Sequence, residues 1–185
     1  LIRQFHDPEQ IQGFLIALRS QWTDNAMTGF EDSGIHDPQL YLRIQSIDPI
    51  QNRRYCSLRD TLQRQKGDCK SAAIAAHALL AHTPFSDSYL MGLRSSSQGH
   101  EVCLYRYHDR WGTLGTYQTD FTPPSVSSPE RAAACLSARY TATGIFRQPL
   151  IHYRIKTLNR LCAAYAPFNL RPLMRERQHG PLNQP

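Results

Sequence analysis

The stretch that most constrains the fold is residues 67–76, in which a cysteine opens a segment rich in small side chains, Gly-Asp-Cys-Lys-Ser-Ala-Ala-Ile-Ala-Ala. Alanine favours helix, and Gly67 is suited to end the helix that is predicted just before it. We therefore expect a helix from Cys69 to about Leu80. Its alanines would let it pack closely against a sheet, with Cys69 at the helix N-terminus.

A histidine follows this helix at the start of a predicted strand, where His100 precedes the apolar segment 102–107. A helix N-terminus favours a thiolate because the positive end of the helix dipole and unpaired N–H groups face it. An imidazole beside the thiol can take its proton and hold the thiolate as an ion pair. The pair therefore predicts a cysteine nucleophile, Cys69, with a histidine base, His100.

Each of these two residues also has a purely structural interpretation. A cysteine at a helix start is often a small buried hydrophobe, and a histidine at a strand end often bonds to backbone. Here Gly-Asp precedes Cys69 and a glycine precedes His100. Considered together, these features favour a paired catalytic site over two unrelated structural residues.

The composition excludes several classes of protein. Of 185 residues, 41% are hydrophobic and 19% are charged, which is typical of a globular protein and unlike a disordered chain. No apolar run approaches the roughly 20 residues that cross a bilayer, so no membrane association is expected. The five cysteines lack the spacing of zinc ligands or of a disulfide framework. They favour a reducing, cytoplasmic compartment, and we predict no metal or other cofactor.

Positive charge is concentrated in the last third of the chain. The net charge is +6, and nine Lys/Arg in residues 121–185 face only Glu130 and Glu176. The arginines are scattered among apolar residues and prolines, without a dense run and without a zinc-finger or RNA-binding signature. A solvated surface is therefore favoured over a nucleic-acid interface.

The order of the predicted elements indicates a single α+β domain over residues 1–185, with helices packed on an antiparallel sheet. Residues 1–38 are expected to form a helix and a loop, and residues 175–185 a mobile tail. Pro123 and Pro124 are expected to end the sheet. Helices are predicted to begin at Pro8, Leu58, Cys69 and, after the cap residue Ser128, at Pro129, and residues 156–165 have helical spacing. Strands are predicted over 89–93, 102–107 and 111–117, of which the last two form a hairpin with Tyr107 paired to Arg110.

A base histidine needs an acceptor for its second ring nitrogen, which fixes the tautomer and the orientation of the ring. If the hairpin strands pair closely, His100 lies opposite about Tyr117. Asp120 is the nearest carboxylate on the return segment, although this register puts it beyond the best position. Gln118 is nearer by register but offers only an amide oxygen. Both residues stay open as the third member of the site.

At these residues the chain resembles the transglutaminase-like superfamily, in which a helix-start cysteine, a strand histidine and an aspartate follow one another along the chain. More narrowly, it is similar to a group of uncharacterised bacterial transglutaminase-like proteins over about residues 40–174. The order of several motifs carries the resemblance. These motifs are Cys56 to Leu62, Cys69 with its alanine-rich helix, His100-Glu101-Val102, Arg110 to Gly115, Lys156 to Arg160, and Pro167 to Leu170.

The resemblance implies a papain-like core in which Cys69 is the nucleophile and His100 the base. It also implies a glutamine side chain as an oxyanion donor, for which Gln63 is the candidate beside the backbone N–H of Cys69. The chain departs from the superfamily at one position. The superfamily usually has an aspartate a few residues after the tryptophan of the return strand, whereas Trp111 is followed here by Gly115.

These features predict a cysteine-dependent acyl-transfer enzyme that acts on amide bonds of a peptide or protein, as a peptidase, an amidase or a transglutaminase-like enzyme. Hydrolysis is favoured over crosslinking because nothing in the sequence marks an acyl-acceptor site. Two alternatives stay open. The departure at Gly115 favours a binding or scaffold protein that keeps the fold without turnover, and the basic last third favours a nucleic-acid-associated protein.

Overall fold

The structure is a computed structural model that describes residues 4–20, 55–64, 67–167 and 169–182. The loop that the sequence predicts after the first helix lies outside these residues. The helices are α1 (Pro8–Ser20), α2 (Leu58–Arg64), α3 (Cys69–Leu79), α4 (Pro129–Ala142) and α5 (Arg160–Tyr165). The strands are β1 (Asp87–Arg94), β2 (Gly99–Tyr107), β3 (Arg110–Leu114), β4 (Thr122–Val126), β5 (His152–Thr157) and β6 (Arg175–Pro181).

The described strands form one antiparallel sheet in the order β4-β3-β2-β1-β5-β6, so the fold is α+β as predicted. The hairpin register is confirmed, since Tyr107 pairs with Arg110. His108 and Asp109 form the turn with positive φ values of 46° and 58°. Two such residues make a turn whose twist matches that of the strands.

Helices cover both faces of the sheet. On one face, α1, α3 and α5 pack against buried side chains that include Leu90, Cys103 and Tyr105. On the other face, α4 packs against Met91 and Leu104. The alternation of neighbouring strand residues between these two cores follows from the two-residue period of a strand. Among the described residues, no helix is long and apolar enough to cross a membrane.

The two edge strands correct the sequence prediction. Residues 175–181, predicted to be part of a mobile tail, form β6, which pairs with β5 along its outer edge. Pro123 and Pro124, predicted to end the sheet, lie inside β4 at the opposite edge. A proline lacks the N–H that a central strand needs, but an edge strand has one side without a partner. Charged residues such as those of β6 are likewise typical of sheet edges.

Two further boundaries differ from the prediction. The return strand β3 ends at Leu114 rather than at Tyr117, and a 3₁₀ turn over Gln118–Asp120 follows. The segment over 156–165, predicted as helical throughout, begins as the end of β5. Asn159 then caps α5, because its side chain accepts hydrogen bonds from the N–H groups of Leu161 and Cys162. This N-cap, rather than the apolar spacing, sets the start of that helix.

Candidate active site

Cys69 is the first residue of α3, and its position depends on the cap before it. Asp68 is the N-cap, and its Oδ1 accepts hydrogen bonds from the N–H groups of Lys70 at 3.0 Å and Ser71 at 3.1 Å. Among the described residues, no acceptor takes the N–H of Cys69 itself. The helix behind it is buried, with alanines that are fully inaccessible to solvent. Cys69 is therefore held at a rigid helix start with a backbone donor available beside its thiol.

His100 lies at the start of β2 and is 8% exposed. Its Nε2 is 3.2 Å from both carboxylate oxygens of Asp120. The side chain of Cys69 also interacts with the imidazole. Because Nε2 faces the carboxylate, Nδ1 is the ring nitrogen that remains for the thiol. The ring thus bonds a carboxylate through Nε2 and interacts with the side chain of Cys69.

Aromatic side chains enclose the imidazole. The ring centroids of Tyr117, Tyr140 and Phe146 lie 5.4, 5.5 and 6.3 Å from that of His100. Tyr140 and Phe146 approach it edge to face. Such packing limits the rotation of the imidazole and keeps water from its carboxylate partner.

Asp120 is fully buried, and each of its oxygens has a second donor. Oδ1 accepts from the hydroxyl of Tyr140 at 2.6 Å, and Oδ2 accepts from the N–H of Tyr117 at 2.9 Å. Gln118, the other candidate for this position, is exposed on the 3₁₀ turn and makes no side-chain contact with His100. Of the two residues left open by the sequence, the carboxylate therefore partners the ring.

The register argument favoured Gln118 because it extended the hairpin too far. The chain leaves the sheet after Leu114, and the 3₁₀ turn brings Asp120 back toward the start of β2. Gly115 makes this return possible, since a Cβ at that residue would lie 2.3 Å from Oδ2 of Asp120. Gly115 thus makes room for the carboxylate of an aspartate from farther along the chain.

Gln12 on α1 holds the same segment and was not among the site residues predicted from the sequence. Its Nε2 donates to the carbonyls of Gly115 at 3.0 Å and Tyr117 at 2.9 Å, and its Oε1 accepts from the N–H of Gly115 at 3.0 Å. The side chain is 2% exposed. A buried glutamine that satisfies three backbone groups fixes the path of the loop that carries Asp120. A polar residue on the apolar face of α1 was the signal available in the sequence.

The electrostatics of the site favour a charged imidazole. Burial disfavours the charge, but hydrogen bonds to Asp120 and Cys69 outweigh burial and raise the pKa of His100 to about 10. Burial, together with the neighbouring Asp120, raises the pKa of Tyr140. Tyr140 therefore stays protonated and donates to the carboxylate. A thiolate–imidazolium pair needs a buried counter-charge beside the imidazolium. Asp120 provides that charge, and Cys69 provides the thiol.

A cavity of about 690 Å³ opens in front of this group, and both Cys69 and His100 line it. Beside them lies a second polar cluster that the sequence analysis missed. The carboxylate of Glu101, 5% exposed, accepts from Nζ of Lys156 at 2.8 Å and from the hydroxyl of Tyr55 at 2.9 Å. Lys156 also donates to the Tyr55 hydroxyl at 3.0 Å. Glu101 and Lys156 each lie in a sequence motif that the resemblance rests on, and these motifs were the sequence signal that could have identified them.

Gln63, the predicted side-chain oxyanion donor, is exposed on α2 and is not among the residues that line the cavity. This short helix buries Leu58 and Thr61, which turns Gln63 toward solvent. The oxyanion role of its side chain stays a prediction.

Another histidine, His77, is buried between the Ser88 hydroxyl and the Leu158 carbonyl, both at 2.9 Å. Burial lowers its pKa to about 4, as expected of a structural histidine.

Comparison with known proteins adds no family assignment to this geometry. No protein-family model matches the chain, and no curated protein matches it significantly.

Proposed function

We propose that the protein is a cysteine-dependent acyl-transfer enzyme that cleaves amide bonds, with Cys69 as nucleophile, His100 as base and Asp120 as the residue that orients the base. One observation carries this proposal. The ring of His100 joins the thiol at a helix N-terminus to a fully buried carboxylate, at the wall of an open cavity. The order cysteine, histidine, aspartate along the chain and the antiparallel sheet behind the helix support a papain-like, transglutaminase-like core.

In the first step, Sγ of the Cys69 thiolate attacks the carbonyl carbon of the amide and forms a C–S bond. The oxyanion that results accepts a hydrogen bond from the backbone N–H of Cys69. The imidazolium of His100 gives its proton to the leaving nitrogen as the C–N bond breaks. A free amine departs, and the acyl group remains on Cys69 as a thioester, with His100 neutral.

In the second step, His100 takes a proton from water, and the hydroxide attacks the thioester. The C–S bond breaks, a carboxylic acid leaves, and the thiolate–imidazolium pair is restored. A primary amine in place of water would give transfer instead of hydrolysis. Hydrolysis is the favoured outcome, because no acyl-acceptor site is marked in the sequence. Asp120 keeps Nε2 occupied throughout and stabilises the charged form of the ring.

Thiol reactivity tests the proposal without knowledge of the substrate. We expect iodoacetamide to alkylate Cys69 at pH 6 at least ten times faster than Cys135, an exposed cysteine on α4. An ordinary thiol, with a pKa near 8.5, is almost wholly protonated at that pH. Peptide mapping by mass spectrometry after timed quenching gives both rates in one sample. Faster alkylation of Cys135 would contradict the proposal and favour a scaffold protein.

Cys69→Ala gives the matching loss-of-function test. Alanine suits a helix start followed by alanines, so the thermal unfolding midpoint should change by only a few degrees. Turnover of a panel of fluorogenic peptide amides should fall to the background rate. Activity that survives the substitution would refute the role of Cys69.

A further inference from the structure

The cavity extends well past the cysteine and histidine, across the four strands β2, β1, β5 and β6 of the sheet. In the strand register, Glu101 of β2 lies beside Gly92 of β1, which lies beside Arg154 of β5. Neighbouring strands are about 4.8 Å apart, so this row spans about 10 Å. An extended peptide covers that distance with about three residues. The cavity therefore has room for substrate groups up to about three residues from the reacting amide.

Gly92 forms the open floor of this row. The three atoms nearest to a Cβ built on it are Nζ and Cε of Lys156, at 3.6 and 3.8 Å, and the carbonyl oxygen of Arg154 at 3.9 Å. Glu101 and Arg154 on either side carry long side chains, so the glycine leaves a gap between them. Gly92 pairs across the sheet with Glu101, the residue that follows His100, and all three residues line the same cavity.

The lining of the cavity is strongly cationic. Five basic side chains other than histidine line it, against the carboxylates of Glu101 and Glu176. Lys156 pairs with Glu101 at 2.8 Å, and Arg154 lies 3.9 Å from Glu176. Lys70 pairs with Asp68. The five basic residues are Lys70, Arg94, Arg154, Lys156 and Arg171.

Two of these cations have no carboxylate partner among the residues that the structure describes. Among the described residues, no acidic side chain forms an ion pair with Arg94, at the end of β1, or with Arg171, in the 3₁₀ turn before β6. Arg94 pairs through its backbone with Gly99, the residue before His100. Arg171 follows Asn169, whose side chain accepts hydrogen bonds from the N–H groups of Arg171 and Tyr55. Both guanidinium groups are thus attached to fixed backbone around one cavity.

We propose that the substrate is an acidic peptide, an inference that rests on the proposed amide chemistry. Carboxylates within about three residues of the scissile amide bind Arg94 and Arg171. Guanidinium groups match carboxylates in shape and can bind them through two parallel hydrogen bonds. The Glu101–Lys156 pair satisfies the buried charges of the cavity wall, which leaves the two arginines for the ligand. Acidic side chains complement the excess charge of the cavity, whereas basic ones would be repelled.

Binding to the Cys69→Ala protein tests this proposal apart from turnover. The probes are fluorescein-labelled pentaglutamate and pentaglutamine, measured by fluorescence anisotropy at 50 mM and 500 mM NaCl. We expect pentaglutamate to bind at least ten times more tightly than pentaglutamine at the lower salt concentration. We expect most of this difference to vanish at 500 mM, because salt screens partly exposed charges.

Matched charge variants locate the site. Arg94→Gln/Arg171→Gln should weaken pentaglutamate binding at least tenfold and leave pentaglutamine unchanged. Arg110→Gln/Arg131→Gln removes the same charge from exposed residues outside the cavity, and should change the affinity less than twofold. Equal binding of the two peptides, or equal losses in the two double variants, would overturn the proposal. So would an oligodeoxythymidylate of equal charge that binds as tightly as pentaglutamate.

The binding result is independent of the chemistry. If Cys69 proves unreactive while pentaglutamate binds through Arg94 and Arg171, the proposed function fails and the acidic-peptide site stands. If Cys69 cleaves neutral amides and no preference for acidic peptides is found, the proposed function stands and this inference fails.

Discussion

At the scale of single residues, the orientation of His100 depends on Asp120. Asp120→Asn keeps an oxygen for the Tyr140 hydroxyl but removes the negative charge that stabilises the imidazolium. We expect turnover to fall about a thousandfold or more. The urea midpoint at neutral pH should fall as well, because the imidazolium loses its buried counter-charge. Gln118→Ala is the matched control, because that exposed side chain forms no hydrogen bond with the ring, and its turnover should equal that of the wild type. The reverse ranking in steady-state kinetics would make Gln118 the partner of His100.

Gly115 affects the same carboxylate because it has no side chain and so leaves room for it. In Gly115→Ala the new methyl group would lie 2.3 Å from Oδ2 of Asp120, which is itself held by the N–H of Tyr117. The loop must shift, so we expect turnover to fall at least tenfold and stability to fall by about 1–3 kcal/mol. Gly13→Ala on α1 is the control, because no atom lies within 4 Å of the added carbon. It should raise stability by about 0.5–1 kcal/mol in urea unfolding. Wild-type turnover in Gly115→Ala would show that Asp120 does not depend on this close approach.

At the scale of elements, helix α1 contributes to the site through Gln12, without lining the cavity itself. Gln12→Leu would leave two carbonyls and one N–H of the 115–117 segment without their partner in a buried setting. We expect a loss of about 3 kcal/mol in stability and a lower kcat, since Asp120 lies on the loop that follows. Gln10→Leu, on the exposed side of the same helix, removes one exposed hydrogen bond from the His6 N–H, so it should cost about 1 kcal/mol or less and leave kcat unchanged. Unfolding in urea and steady-state kinetics measure both effects, and equal losses in the two variants would argue against a positioning role.

The helices and strands also differ in how well the sequence predicts them. The alanine-rich segment of α3 and the β2–β3 hairpin follow from local propensity and alternation, and the structure confirms both. The edge strands β4 and β6 were missed because prolines and charged residues, which disfavour a central strand, are tolerated at an edge. The contact of Asp120 with His100 and the clamp by Gln12 depend on a tertiary loop path, which no local pattern encodes.

At the scale of the whole molecule, the imidazole links stability to pH. Hydrogen bonds within the folded protein raise the pKa of His100 from its ordinary value of 6.5 to about 10, so the native state binds this proton more tightly than the unfolded state does. The contribution is fully present below about pH 6.5 and is lost as pH rises toward 10. We expect the free energy of unfolding to fall across that range. The fall should be smaller in His100→Asn, a comparison that removes the contribution of other titrating groups. Equal slopes in urea titrations of the two proteins would contradict this linkage.

Gly92 is a position in the cavity where a methyl group can be added without a steric clash. The sheet there is complete in its backbone pairing, yet the floor of the cavity carries no side chain. A single methyl group fits at ordinary contact distance from Lys156, and each further carbon would shorten the space available to a ligand. Substitutions at this one position would therefore reduce the volume of the cavity in steps, while the cysteine, histidine and aspartate stay in place. A single substitution at Gly92 would therefore change which ligands fit the cavity.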